Sequence, residues 1–289
     1  WDQTRCPNAC PEGQVCFAGE CKAPGTIPTD PSGRRSFYFP QALEKDVDIL
    51  FLVDSSNSME QEQANLLKNF GILVEALRSP KLGGAGCTPT NRSTCAIPNV
   101  RIGVVTTDIG AGNFALPSCE VAGGDGGKLQ TKPRIAGCVP PKDPYISYIE
   151  GQTNVPSATK DPVAQVKEAF QCIAGIGVGG CGFEHQLEAS WRALDPKVNV
   201  NPGFIRKEAF LAVVWITDED DCSASKVQLF DPSQQGLTDP MGPLTSYRCT
   251  EFGLLCDAKS PGRQPGAVNN CVPGQDYLFS IDDYVTKFK

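Results

Sequence analysis

The chain has one histidine, His185, two methionines and no Cys-x-x-Cys pair in 289 residues. Soft-metal sites draw on several histidines or paired cysteine arms, so a zinc centre is a poor fit. A single imidazole also leaves little room for a Ser-His or Cys-His triad. No apolar run approaches the ~20 residues that a membrane helix needs. Basic residues are in deficit, 26 Lys and Arg against 33 Asp and Glu, for a net charge of −7 and a pI near 4.9. That balance speaks against nucleic acid as a partner and against direct adhesion to anionic lipid.

What the chain does have is cysteine, fourteen of them. With metal arms missing, disulfides are the expected use, and they place the protein outside the reducing cytosol. All fourteen are expected to pair: Cys6, Cys10, Cys16, Cys21, Cys87, Cys95, Cys119, Cys138, Cys172, Cys181, Cys222, Cys249, Cys256 and Cys271. The first four fall within sixteen residues, too short a stretch for a hydrophobic core, so residues 1–22 read as a small disulfide module. Residues 23–45, which open with APGTIPTDPSGRR, read as a Pro/Gly-rich linker. Cys87–Cys95, Cys119–Cys138 and Cys222–Cys271 read as long loops pinned by disulfides. No secretory leader is visible at Trp1. The expectation is an extracellular or cell-surface protein, an outer-membrane lipoprotein with its leader outside this chain being one form of that.

Residues 46–289 read as one α/β domain. Ile49–Val53 is continuously apolar, as in a strand covered on both faces. From Ser58 the period changes: Leu66, Phe70, Leu73, Val74 and Leu77 recur at helical spacing until Pro80. Val100–Thr106 and Phe210–Ile216 read as further buried strands. Pro162–Ile173, Phe183–Leu194 and a segment from Ser280 read as helices, the last with Ile281, Tyr284, Val285 and Phe288 inward. Strands alternating with helices predict a doubly wound, mostly parallel Rossmann-like sheet.

Two of these strands end on an acid, LFLVD at Asp54 and VVWITD at Asp218. Ligands of open α/β sheets bind at such carboxyl ends, and a carboxylate brought there on a buried strand needs compensation. Asp54, Ser56 and Ser58 alternate, so a carboxylate and two hydroxyls can converge beyond the strand, with Asp218 beside them. Hard oxygens of this kind suit Mg²⁺ or Mn²⁺, with Ca²⁺ the third cation they accommodate. A second reading of the same residues is a capping box, Ser58-Met59-Glu60-Gln61, in which the hydroxyls only cap the helix.

Asp54-x-Ser56-x-Ser58 and Ile216-Thr217-Asp218 resemble the metal-ion-dependent adhesion site of von Willebrand factor A (integrin I-like) domains. The resemblance spans about residues 46–221. It implies Ser56 and Ser58 as direct ligands, Asp54 and Asp218 acting often through water, and a partner carboxylate at the open position. More narrowly, FGILVEALRSP, GVVTTDIGAG, GCGFEHQLEA and ITDEDDCS are similar to cysteine-rich myxobacterial surface proteins, a group that includes a gliding-motility adhesin. The threonine that the family supplies before a later helix is absent from Gly179-Gly180-Cys181-Gly182-Phe183-Glu184. Glu184, in the first turn of the predicted helix, is the candidate substitute, or else a carboxylate favoured by the helix dipole. Asp218-Glu219-Asp220-Asp221 reads as a solvated acidic loop or a separate calcium site, and Asp108 as a further strand-end acid.

The leading expectation is therefore an adhesion module, not an enzyme. Its ligand would be a protein or polysaccharide that offers a carboxylate, with cell-envelope proteins as further partners. The alternatives are a phosphohydrolase of the haloacid-dehalogenase kind and a disulfide-stapled scaffold without a metal. The first needs a second acid two residues after Asp54, where Ser56 stands.

Overall fold

The computed structural model describes residues 11, 14–17, 20–22, 46–79, 82–133, 135–274 and 276–288. The chain divides into two units, Trp1–Glu44 and Lys45–Lys289. In the first, β1 (Val15–Phe17) and β2 (Glu20–Lys22) form an antiparallel hairpin with Cys16 opposite Cys21. Cys21 is disulfide-bonded. Cys6, Cys10 and the 23–45 linker fall outside the described residues.

The second unit begins with β3 (Asp46–Val53), followed by α1 (Glu60–Ala76), β4 (Asn99–Thr106), β5 (Ile146–Ile149) and β6 (Gln152–Thr153). Helices α2 (Pro162–Ala174) and α3 (Gln186–Leu194) lead to β7 (Phe210–Ile216). The sheet runs β6-β5-β4-β3-β7. β3 lies parallel to both β4 and β7, and β5 is antiparallel to its two neighbours, so four of the five strands run the same way. The β5–β6 hairpin carries no signal that the apolar pattern would reveal.

Both faces of β3 are covered, which is why its sequence does not alternate. Ile49, Phe51 and Val53 pack with Phe70 and Val74 of α1 and with Val166 and Phe170 of α2. Leu50 and Leu52 face the other way, onto Ala189 and Ala193 of α3 and onto Phe204. The first core is knit by aromatic rings: Phe170 stacks on Phe70 and meets Phe51 edge-on at 4.9 Å between centroids. The chain steps from β3 to β4 on one side and returns through α2 and α3 to β7 on the other. The carboxyl end of β3 is thus the point where strand order reverses, the usual place for a ligand in open α/β sheets.

The segment after β7 holds α4 (Tyr247–Gly253), an antiparallel pair β8 (Leu254–Cys256) and β9 (Cys271–Pro273), and α5 (Ile281–Lys287). Among the described residues no strand of this segment joins the five-stranded sheet. It builds a satellite core around Phe183, Leu229 and Phe230 instead. Buried Arg248 ties its loops together, donating to the carbonyls of Leu229, Asp231, Gln234 and Gly242.

Three expectations are corrected. β7 is not a fully buried strand: Phe210 is 56% and Trp215 43% exposed, because β3 is its only partner in the sheet among the described residues. In α5, Tyr284 is buried but Ile281 and Val285 face outward, since a single side of that short helix meets α3. The loop between Cys119 and Cys138 is not closed on itself. Cys119 pairs with Cys181 and Cys138 with Cys172, alongside Cys87–Cys95, Cys222–Cys249 and Cys256–Cys271. Those bridges fit an oxidising compartment, and no described helix is long and apolar enough to cross a membrane.

Phe170 is the central probe of the main core. Phe170→Ala is expected to lower unfolding free energy by about 3–5 kcal/mol. Urea unfolding followed by circular dichroism measures this, and a loss under about 1 kcal/mol would place the stabilising core elsewhere.

Candidate functional site

At the carboxyl end of β3 the chain leaves the sheet through Asp54, which is 0% exposed. Its backbone N–H still bonds Ile216 of β7, so the side chain is held at the seam of two parallel strands. Three donors surround the carboxylate: the Ser56 N–H at 2.8 Å and Thr107 Oγ1 at 3.4 Å on one oxygen, and Thr217 Oγ1 at 2.8 Å on the other. A short 3₁₀ turn, Asn57–Met59, then feeds α1. Gln63 of α1 locks this exit by donating to the Asp54 and Gly177 carbonyls and accepting the Gly177 N–H.

Ser56 Oγ lies 3.1 Å from Ser58 Oγ, and Ser58 Oγ donates to Asp218 Oδ1 at 3.1 Å. The capping-box alternative is not what these hydroxyls do: no side-chain cap bond forms at the start of the 3₁₀ turn or of α1. Three of the predicted oxygens thus meet in one place, with Asp54 directly behind them. Adjacent oxygens of an octahedral Mg²⁺ site, with bonds of ~2.0–2.1 Å, stand about 3 Å apart. Among the described residues no three His, Cys, Asp or Glu side chains are grouped closely enough to hold a metal ion. Here two of the three oxygens are hydroxyls, so the donor set is hard and carries little charge.

Glu184 is 2% exposed and sits two residues ahead of α3, not in its first turn. The helix-dipole reading is corrected accordingly. The N–H groups of that turn are served by Asp221, whose Oδ1 accepts from Leu187 at 2.9 Å, and by Ser223. Asp221 is therefore a structural cap and not part of a solvated acidic loop. Burial pushes the Glu184 carboxyl up to about 8, and Asp54, Glu219 and Asp218 add to the shift. Glu219 is raised as well, by burial and by Asp218 and Asp54. Glu184, Asp54, Asp218 and Glu219 therefore share one electrostatic neighbourhood.

The loop before Glu184 reaches the site because it has no side chain in the way. Gly180 N–H bonds the Ser55 carbonyl at 2.8 Å, and a Cβ on Gly180 would fall 1.9 Å from Ser55 Oγ. Cys181, in the position of the missing threonine, is bridged to Cys119 and offers no ligand. Asp108 does not join the group: its carboxylate accepts the Gly110 N–H at 2.7 Å and faces Asp125. His185 is interior, edge-on to Phe230, and burial pushes it down to about 4, so it remains neutral. Sequence reasoning missed Thr107, Thr217 and Gln63. The two threonines stand beside strand-end aspartates, in VVTTD and WITD, and that adjacency was the available signal.

Elsewhere three buried acids are paired with arginine. Asp48, at the opposite end of β3 and 1% exposed, is 2.7 Å from Arg206; Glu188 has Arg192 and Glu251 has Arg263. Among the described residues no lysine or arginine pairs with Asp54, Glu184, Asp218 or Glu219.

The Glu184 shift has a definite sign. A carboxyl whose folded pKa is raised stabilises the fold while protonated, fully below its unfolded value of 4.5. That contribution is lost as pH rises through about 8. In chelator-treated protein, thermal stability should therefore fall between about pH 5 and pH 8, and Glu184→Gln should flatten the profile. Parallel profiles for the two proteins would remove Glu184 as the source.

No family model, no curated protein and no solved structure matches this chain, so its functional reading rests on the geometry of the site.

Proposed function

We propose that this is an extracellular or cell-surface adhesion protein with a metal-ion-dependent adhesion site of the von Willebrand factor A kind. One observation carries the reading: at the switch point of the sheet Ser58 Oγ lies 3.1 Å from both Ser56 Oγ and Asp218 Oδ1, beside acids that no described basic side chain pairs with. Ser56 and Ser58 would hold the ion directly with Asp218. Asp54, saturated by its three donors, would orient the serines and support the ion from behind. Glu184 takes the place of the family's threonine. Mg²⁺ or Mn²⁺ fits the spacing better than the larger Ca²⁺. The bound ion would supply a local positive charge on an acidic protein, a docking point for a carboxylate from a protein or polysaccharide. Partners in the cell envelope and a role in surface attachment or gliding belong to the same reading.

The phosphohydrolase alternative is disfavoured by two features. Its nucleophile would be Asp54, which is enclosed and already accepts three hydrogen bonds. Its general acid would stand at position 56, and a serine occupies that place. A scaffold without a metal leaves the uncompensated acids unexplained.

Calorimetric titration with Mg²⁺ and Mn²⁺ tests the proposal. Ser56→Ala combined with Ser58→Ala, and separately Asp218→Ala, should weaken binding by at least about tenfold with an unchanged circular dichroism spectrum. Unaltered metal affinity in both variants would sink the metal site. Glu184→Thr should tighten binding of a carboxylate probe such as glutarate in Mg²⁺, because a neutral ligand leaves the ion more electrophilic; equal or weaker binding would take Glu184 out of the ligand set.

A further inference from the structure

The two edges of the five-stranded sheet are built differently. β6 closes one side with two polar residues, Gln152 and Thr153, too short a stretch to template another strand. β7 closes the other with seven, FLAVVWI, none of them charged and none a proline or glycine. Natural sheets blunt a long apolar edge with lysine, proline or a bulge. β7 has none of these, since its register against β3 runs unbroken from Phe210 to Ile216.

Only half of the β7 backbone is used. The Asp54 N–H bonds the Ile216 carbonyl, so in this parallel pair Phe210, Ala212, Val214 and Ile216 turn their N–H and C=O groups toward β3. Leu211, Val213 and Trp215 turn theirs outward, and among the described residues those groups bond no other backbone. Phe210, Leu211 and Trp215 are exposed at the same edge, and Phe288 of α5 meets Trp215 edge-on.

The unused groups form a self-complementary register. An antiparallel copy of β7 centred on Val213 would set Val213 against itself, Leu211 against Trp215, Ala212 against Val214 and Phe210 against Ile216. Opposed residues that face each other in an antiparallel ladder exchange two hydrogen bonds. The Val213 pair and the two Leu211–Trp215 pairs would therefore satisfy every outward N–H and C=O on both copies. Aromatic-on-aliphatic neighbours across strands, as at Leu211–Trp215 and Phe210–Ile216, add to such pairing. Charge favours the antiparallel sense as well. Lys207 stands as far before Val213 as Glu219 stands after it, both are exposed, and Asp220 follows Glu219. Glu208 against Asp218 is the one like-charged match, and Arg206 is already engaged by Asp46 and Asp48.

We propose that β7 is a dimer edge: a second copy of this chain adds its own β7 antiparallel and joins two five-stranded sheets into one. Pairing about a two-fold axis consumes the long edge of both copies, so assembly stops at two. The inference stands apart from the metal reading, because no residue of the converging oxygens takes part in the pairing. It bears on that reading in one respect. Antiparallel strands point their carboxyl ends in opposite directions, so the two candidate sites would lie at opposite ends of the joined sheet and bridge two partners.

Sedimentation velocity of the full chain across a concentration series tests the mass, with twice the 30.9 kDa of one chain expected as the concentration rises. Amide hydrogen exchange followed by NMR tests the face. Leu211, Val213 and Trp215 should exchange at least about tenfold more slowly in the dimer than in dilute protein, while Ala212, Val214 and Ile216, bonded to β3, change little. Leu211→Lys supplies the charge that guards natural edges, and should give a monomer with an unchanged circular dichroism spectrum. A monomer at every concentration, a dimer whose three outward amides stay unprotected, or a dimer that survives Leu211→Lys would each overturn the proposal. The exchange pattern is read on the unaltered chain, so it decides between the outcomes even where the variant fails to fold.

Discussion

A carboxylate removed from water needs a counter-charge, hydrogen-bond donors or a proton, and the central strand buries one at each end. Asp48 is compensated by Arg206, which also spans Asp46 and the carbonyls of Val47 and Asn99. This clamps the foot of β3 to β4 and to the segment before β7. Asp54, six residues on, has only neutral donors and faces Glu184, Asp218 and Glu219. Burial and the neighbouring acids raise the proton affinity of Glu184 and Glu219. The strained end and the clamped end are two outcomes of one rule.

The scaffold around the strained end is correspondingly rigid. Gln63 bridges the β3 exit to Gly177, the Gly180 loop closes on Ser55 with no room for a side chain, and Cys119–Cys181 anchors that loop from beneath. Asp221 and Ser223 fix the start of α3 immediately behind Glu184. On the adhesive reading proposed above, groups supported in this way would lose little entropy on capturing a ligand. Disulfides perform, for the loop-rich segment after β7, the task that further strands would otherwise perform for the sheet edge.

Much of the site was legible because the relevant spacing is local. Asp54, Ser56 and Ser58 lie within five residues at one strand exit, and the 3₁₀ turn Asn57–Met59 that follows folds the two hydroxyls together. Asp218 was legible because a parallel neighbour delivers its last residue to the same edge. Thr107, Thr217 and Gln63 were not, since their importance comes from partners up to 163 residues away. The pattern predicts Glu184 inside a helix, yet it stands two residues ahead of α3, as happens when the true cap, Asp221, arrives from another loop.

By itself the sequence determined the alternation of strands and helices, the doubly covered β3, the oxygen-rich turn at its end and the oxidising setting implied by fourteen cysteines. Hydrophobic period and residue chemistry are properties of short stretches, and they survive without knowledge of neighbours. Only the tertiary structure decided that β7 is an edge, that Cys119 reaches Cys181, and that Asp54, Asp218 and Glu219 act electrostatically on Glu184 with no described arginine paired to any of them. Pairing across distant segments depends on how the covered faces stack, and no local pattern encodes that stacking.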